Sequence, residues 1–100
     1  MPTKLQGRGE SRMPLKVMVD LSSLDVRRPA QEGITENVSA RGARVVTNKP
    51  WQPNERLNVR SLLGSFRSRA RVVYCQALGH GSFAIGLQLV AAAGDWMSRR

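Results

Sequence analysis

From Leu15 the chain alternates between apolar and polar positions: Leu15, Val17, Val19 and Leu21 would point one way, Lys16, Met18 and Asp20 the other. A period of two is that of a strand with one face on a core and the other in water. Ser22 to Pro29 reads as a charged connection, Gln31 to Glu36 as a short strand around Ile34, and Val45-Val46 as the heart of another. Asn48-Lys49-Pro50 and Gln52-Pro53-Asn54 supply turn residues on either side of Trp51, whose large ring is expected to plug one end of the core.

Leu57, Val59 and Leu63 resume a strand, and Leu63-Gly64-Ser65-Phe66 predicts a hairpin with Gly64-Ser65 as a two-residue type II′ turn. That register sets Arg60 opposite Arg69, a like-charge pair that needs water or an anion to screen it. It suggests a second basic face, suited to an acidic partner protein or an anionic membrane surface, with a plain solvated strand face as the alternative. The returning strand runs from Phe66 to about Cys75, with Arg67, Arg69 and Arg71 on one side. Gly79-His80-Gly81 makes the next turn, and Ser82 to Val90 the last strand, with Phe83, Ile85, Leu87 and Leu89 on one face. Ala91 to Met97 is expected to form a short helix. Many short strands with almost no helical period predict an all-β domain, and a small closed barrel is favoured because closure leaves fewer unpaired edges.

A chain of 100 residues with 41% hydrophobic and 23% charged positions fits one small domain with a modest core. Residues 1–12 are polar and basic with no apolar period, so they read as a flexible arm; residues 13–97 hold the barrel, and 98–100 a basic tail. Sixteen Lys+Arg against seven Asp+Glu give a net charge of +9, and arginine greatly outnumbers lysine. The partner expected from that balance is an anion, because the planar guanidinium makes paired hydrogen bonds to phosphate or to a guanine edge.

Cys75 is the single cysteine, which excludes an intrachain disulfide and fits a buried thiol in a reducing cytoplasm. The N-terminus lacks the apolar run of a signal peptide, and the most apolar stretch, FAIGLQLVAAAG, is too short and carries Gln88, so no transmembrane segment is expected. Asn37-Val38-Ser39 matches a glycosylation acceptor, an accidental match in a chain not expected to be secreted. Catalysis finds little support. His80 stands alone between glycines, no Cys, Asp or Glu cluster has metal spacing, and no phosphate-binding glycine fingerprint appears, so neither an enzyme nor a bound cofactor or metal is expected.

Two short stretches carry more. Arg8-Gly9-Glu10-Ser11-Arg12 places two arginines four apart just before the first strand, and Asn37-Val38-Ser39-Ala40-Arg41-Gly42 follows one strand and a connection later. An RxxxR pair followed by [D/N]xSxxG resembles the signature of the PilZ domain, the bacterial receptor module for cyclic di-GMP. The resemblance covers roughly residues 8 to 97 and implies a six-stranded antiparallel barrel. It implies that Arg8 and Arg12 present donor forks to phosphate oxygens or guanine, on an arm that closes over the ligand. Asn37 and Ser39 would hydrogen-bond a guanine edge or nearby backbone, and Gly42 would allow a positive φ or close approach. Arg41 is a further candidate cation, and Gly86 matches a glycine the family carries on a late strand near the ligand.

Many relatives have aspartate where this chain has Asn37, whose side chain accepts through one oxygen only. The function this resemblance implies is a cytoplasmic cyclic di-GMP receptor acting through an unknown protein partner. Two other readings stand beside it: a PilZ-like interaction module that binds no nucleotide, and a basic barrel that binds single-stranded nucleic acid. The last needs exposed aromatics for base stacking, whereas Trp51, Phe66, Tyr74, Phe83 and Trp96 are scattered and mostly fall at expected core positions, so no nucleic-acid polymer is the expected partner.

Overall fold

Val17, Val19 and Leu21 are buried while Met18 is exposed, so the first alternation does face a core. The computed structural model describes residues 11–97. Its strands are β1 (Met13–Pro14), β2 (Met18–Ser23), β3 (Gln31–Val38), β4 (Gly42–Thr47), β5 (Arg56–Ser61), β6 (Arg67–Gly79) and β7 (Ser82–Ala93). They lie in the order β1-β3-β2-β5-β6-β7-β4, every pairing is antiparallel, and β4 also pairs with β3. This last pairing closes β3-β2-β5-β6-β7-β4 into a six-stranded barrel, with β1 added beside β3. Closure pairs the strand edges that an open sheet would leave to water.

The inward positions of the strands fill the barrel: Val19, Leu21, Leu57, Val59, Val72 and Ile85 are each at most 1% exposed. Burying a side chain of this size contributes about 1.5–3 kcal/mol of transfer free energy. Trp51, in the β4–β5 connection, is buried as expected; its Nε1 donates to Gln31 Oε1 at 2.6 Å, and the Arg28 guanidinium lies 4.0 Å from its ring. At the far end of β5, Phe66 stacks on Trp96 with ring centroids 3.7 Å apart. Two aromatic plugs therefore sit at opposite ends of the barrel.

The strand expected from Leu15 starts instead at Met18, because the chain breaks pairing at Leu15–Val17 to admit a side chain. Thr35, fully buried on β3, accepts from Val17 N at 2.8 Å and donates its hydroxyl to Leu15 O at 2.5 Å. Its own N–H donates to Val17 O at 3.0 Å, and Leu15 N donates to Glu36 O at 3.2 Å. The β3–β4 register shifts between Thr35 and Asn37, so β3 bends there. Beyond the bend β3 pairs with β1, setting Pro14 opposite Asn37.

The β5–β6 hairpin differs from the expected one. Ser61 N donates to Phe66 O at 3.0 Å, enclosing Leu62 to Ser65 in a four-residue loop. Arg60 consequently faces Arg67, and Asn58 faces Arg69. The cause is distant in sequence: Ser65 N and Phe66 N both donate to Asp95 O, at 3.0 and 2.8 Å. A side chain at Gly64 would run into the backbone carbonyls of Asp95 and Trp96.

Nor is residues 91–97 a helix. β7 continues to Ala93, which pairs with Arg67, and the chain then turns at Gly94, whose φ is 85°. After a bulge at Ala91–Ala92, pairing with β6 resumes at Ala93, and one or two turns of isolated helix would nucleate poorly. The Gly79-His80-Gly81 turn forms as expected: Gly79 pairs with Ser82, and His80 and Gly81 have φ of 55° and 76°, suiting a two-residue hairpin. Cys75 is half-buried rather than buried, and Tyr74 lies on the outer surface.

Candidate functional site

Asn37 comes just after the bend that Thr35 creates, with Pro14 of β1 on one side and Arg44 of β4 on the other. β1 carries Arg12 to the same point. Arg12 Nη1 donates to Asn37 Oδ1 at 2.6 Å, although the two are 25 apart in sequence. Arg8 lies outside the described residues, as does all of the expected arm before Ser11.

Ser39 and Gly42 build the β3–β4 turn. Ser39 N donates to Gly42 O at 2.8 Å, and Gly42 N donates to Ser39 Oγ at 3.1 Å, an arrangement in which the short hydroxyl substitutes for a ladder partner. Gly42 is buried, and positive φ is not its reason for being glycine: among described glycines that conformation belongs to Gly79, Gly81 and Gly94. Close approach is the reason. A Cβ at Gly42 would stand 3.2 Å from Leu87 O, 3.5 Å from Arg12 Nη2 and 3.6 Å from Ser39 Oγ. Arg41 is exposed at the tip, and its carbonyl accepts from Leu89 N at 2.8 Å, tying the turn to β7.

Gly86 is brought to the same face by register, opposite Arg44 on β4 and Tyr74 on β6. Any side chain there would collide with the Tyr74 ring, which lies across the glycine. Arg44 is tied down on several sides: Nε donates to Glu36 Oε1 at 2.7 Å, Nη1 to Tyr74 Oη at 2.9 Å and Nη2 to Gln76 Oε1 at 3.3 Å. The hydrogen bond to Glu36, then that to Tyr74, raise the Arg44 pKa above its ordinary value. One row along, Gln88 pairs with Gly42 and with Arg71, whose Nη2 donates to Gln88 Oε1 at 2.7 Å while Nη1 donates to Asn54 Oδ1 at 2.7 Å.

The patch thus combines the Arg12 fork, an amide and a hydroxyl at a tight turn, and two further guanidiniums on β4 and β6. It offers donors to phosphate oxygens and base edges. No group in it is placed as a nucleophile with a base, and among the described residues no cluster of three His, Cys, Asp or Glu is placed to hold a metal.

The PilZ domain family model matches residues 6–95. The chain belongs to the PilZ family. PilZ domains are cyclic di-GMP-binding modules that serve as receptors and adaptors rather than enzymes. Among solved structures the chain is similar to the Bacillus subtilis inhibitor of motility MotI/DgrA, with a TM-score of 0.71 and 18% identity over 91% of this chain and 46% of that one. It spans less than half of that protein. It is also similar to the PilZ domain of CeSA from a cellulose-synthesizing bacterium, with a TM-score of 0.58 and 21% identity over 80% of each chain. At these identities the likeness shows the fold. A comparison with curated proteins finds no match. Among the described residues no helix is long and apolar enough to cross a membrane, a statement that does not bear on strands.

Within this PilZ domain, the described residues of both motif halves meet on the β3–β4 side of the barrel, with Gly86 next to Arg44. Sequence reasoning missed Glu36, Arg44, Arg71, Tyr74 and Gln88. The alternation that buries Ala43 and Val45 puts Arg44 outward on the same strand, which was a usable signal. Tyr74 over Gly86 was not legible without the β6–β7 register.

Proposed function

We propose that this PilZ domain is a bacterial cytoplasmic receptor for cyclic di-GMP that acts through a protein partner. The ligand has two phosphates and two guanines, and the reading assigns it to the outer surface where Arg12, Asn37, Ser39 and Gly42 adjoin Arg44 and Gly86. The observation that carries it is the Arg12–Asn37 hydrogen bond of 2.6 Å, which unites the end of the RxxxR motif with the start of the NVSARG turn. Arg12 would exchange that bond for phosphate or guanine contacts, and Arg41 would add a cation at the rim. Arg8 enters on motif spacing alone. The arm that leads to Arg12 would close over the nucleotide and so change the surface offered to the partner.

Calorimetry with cyclic di-GMP tests the reading. Arg12 is exposed, so Arg12→Ala should leave the melting temperature almost unchanged, while loss of charge-assisted bonds worth about 1.5–3 kcal/mol weakens binding about 10- to 150-fold. Absence of heat from the folded wild-type protein would sink the receptor reading and leave an interaction module that binds no nucleotide.

A further inference from the structure

Across the barrel from the β3–β4 site lies the outer face of β5 and β6: in the closed order β3-β2-β5-β6-β7-β4, β6 stands opposite β3 and β5 opposite β4. This face holds an open hollow of about 440 Å³ lined by Asn58 and Arg60 of β5, Arg67 and Arg69 of β6, and Ala91 and Ala93 of β7. Arg60 and Arg67 are direct cross-strand partners. Like charges in that relation destabilise a sheet unless something negative stands between them.

Among the described residues, one acid forms an ion pair with an arginine of this face. Asp20 reaches Arg60 at 3.3 Å, while Asp25, Glu36 and Glu55 are committed to Arg56, Arg44 and Arg28. The Arg67 and Arg69 side chains have no hydrogen-bond or ion-pair partner among the described residues. On the β7 side, Ala91 has φ of 59° and the β6–β7 register shifts between Arg67 and Arg69, so a bulge opens the strand beside two methyl-sized side chains. The result is a trough with guanidiniums along it and a low floor.

We infer that this trough is a docking site for an extended acidic segment of a partner protein, with carboxylates at every second residue. In an extended chain, alternate side chains lie about 6.8 Å apart on one side, the same two-residue spacing that separates Arg67 from Arg69 on β6. The alanine floor lets the segment's backbone approach, and each carboxylate meets a guanidinium fork. No aromatic side chain lines the trough, so it lacks the stacking surface that single-stranded nucleic acid needs. The one aliphatic side chain larger than alanine in its lining, Val59, is 1% exposed and faces the core, so the trough offers nothing to enter a bilayer. The inference does not depend on nucleotide binding.

Fluorescence anisotropy of the full chain with a labelled peptide of alternating Glu and Thr tests it, beside a peptide of the same composition with its glutamates in one block. Arg67→Gln with Arg69→Gln should weaken the alternating peptide by about 10-fold or more, as for paired charges at an interface. Arg27→Gln with Lys49→Gln, which removes equal charge elsewhere, should change it by less than about 2-fold, the size of a long-range effect at physiological salt. Thermal melting confirms that each variant is folded. Arg12→Ala should leave peptide binding intact, so failure here is distinguishable from failure of the nucleotide reading. Equal weakening by the control pair, equal affinity for the block peptide, or tighter Arg67- and Arg69-dependent binding to phosphatidylserine vesicles or an oligonucleotide would overturn the inference.

Discussion

Thr35→Val should destabilise the barrel and loosen the candidate site together. Valine keeps the shape of threonine but replaces the hydroxyl with a methyl group. In the native structure that hydroxyl accepts from Val17 N and donates to Leu15 O, and Thr35 is fully buried. The substitution therefore leaves one backbone donor and one backbone acceptor unpaired where strand pairing has already been broken to admit the side chain. An unsatisfied buried group costs about 1–3 kcal/mol, so the two together cost about 2–5 kcal/mol, with Leu15 at the lower end because it is only half-buried.

Urea unfolding followed by Trp51 fluorescence measures this. With a slope near 1 kcal/mol per molar for a domain of this size, the midpoint should fall by about 2–5 M. Thr35→Ser keeps the hydroxyl and loses a methyl, a change of about 1 kcal/mol on the scale of one buried methyl group. The order is the decisive feature: the variant that preserves volume should be worse than the one that preserves the hydroxyl. If valine proves milder than serine, the hydroxyl does not hold the strand break. The same break lets β1 pair with the end of β3 and bring Arg12 to Asn37, so Thr35→Val should also weaken any ligand that depends on both.

Gly86→Ala must push the Tyr74 ring away and with it the Arg44 hydrogen bond; overpacking of this kind costs about 1–3 kcal/mol. Thermal melting of Gly86→Ala combined with Tyr74→Ala should recover part of the loss, and full additivity would refute the contact as the cause. The Asp25 carboxyl is held below the ordinary aspartate range, first by its side-chain hydrogen bond from Arg56. A depressed folded value makes its contribution full above the unfolded value, about 3.9, and lost as pH falls through the folded one. Asp25→Asn should thus flatten part of the decline in melting temperature below about pH 4 and leave its slope near neutrality unchanged.

What could be read from the sequence was whatever one strand decides for itself. Val19 and Leu21, Leu57 and Val59, and Ile85 and Leu87 alternate inward because a pleated strand has a period of two regardless of its neighbours. Register is different, since it depends on what the turn touches. Gly64-Ser65 has the residues of a two-residue turn, but the Asp95 carbonyl, 30 positions after Ser65, takes the N–H groups of Ser65 and Phe66 and widens it. The alanines of 91–93 have high helix propensity, yet pairing with β6 and the stack of Trp96 on Phe66 outweigh a preference of a few tenths of a kcal/mol per residue. Thr35 looked like any strand threonine, and only the folded backbone shows two of its neighbours' polar groups converging on it.

The candidate site divides along the same line. RGESR and NVSARG marked Arg12, Asn37, Ser39 and Gly42 by residue type, but residue type does not say what Asn37 is doing. Its one acceptor oxygen is already taken by Arg12. Under the receptor reading, a guanine that seeks that oxygen must share it with Arg12 or move the guanidinium onto the ligand, whereas an aspartate would offer a second oxygen and avoid the competition. The same bond has an opposite effect on entropy: Arg12 stands at the site before any nucleotide arrives, so bringing it there is not part of the free energy of binding. Asparagine in the place of aspartate thus trades acceptor capacity for an exchangeable latch, and affinity is set by whether phosphate or guanine holds the Arg12 fork better than a single amide oxygen does.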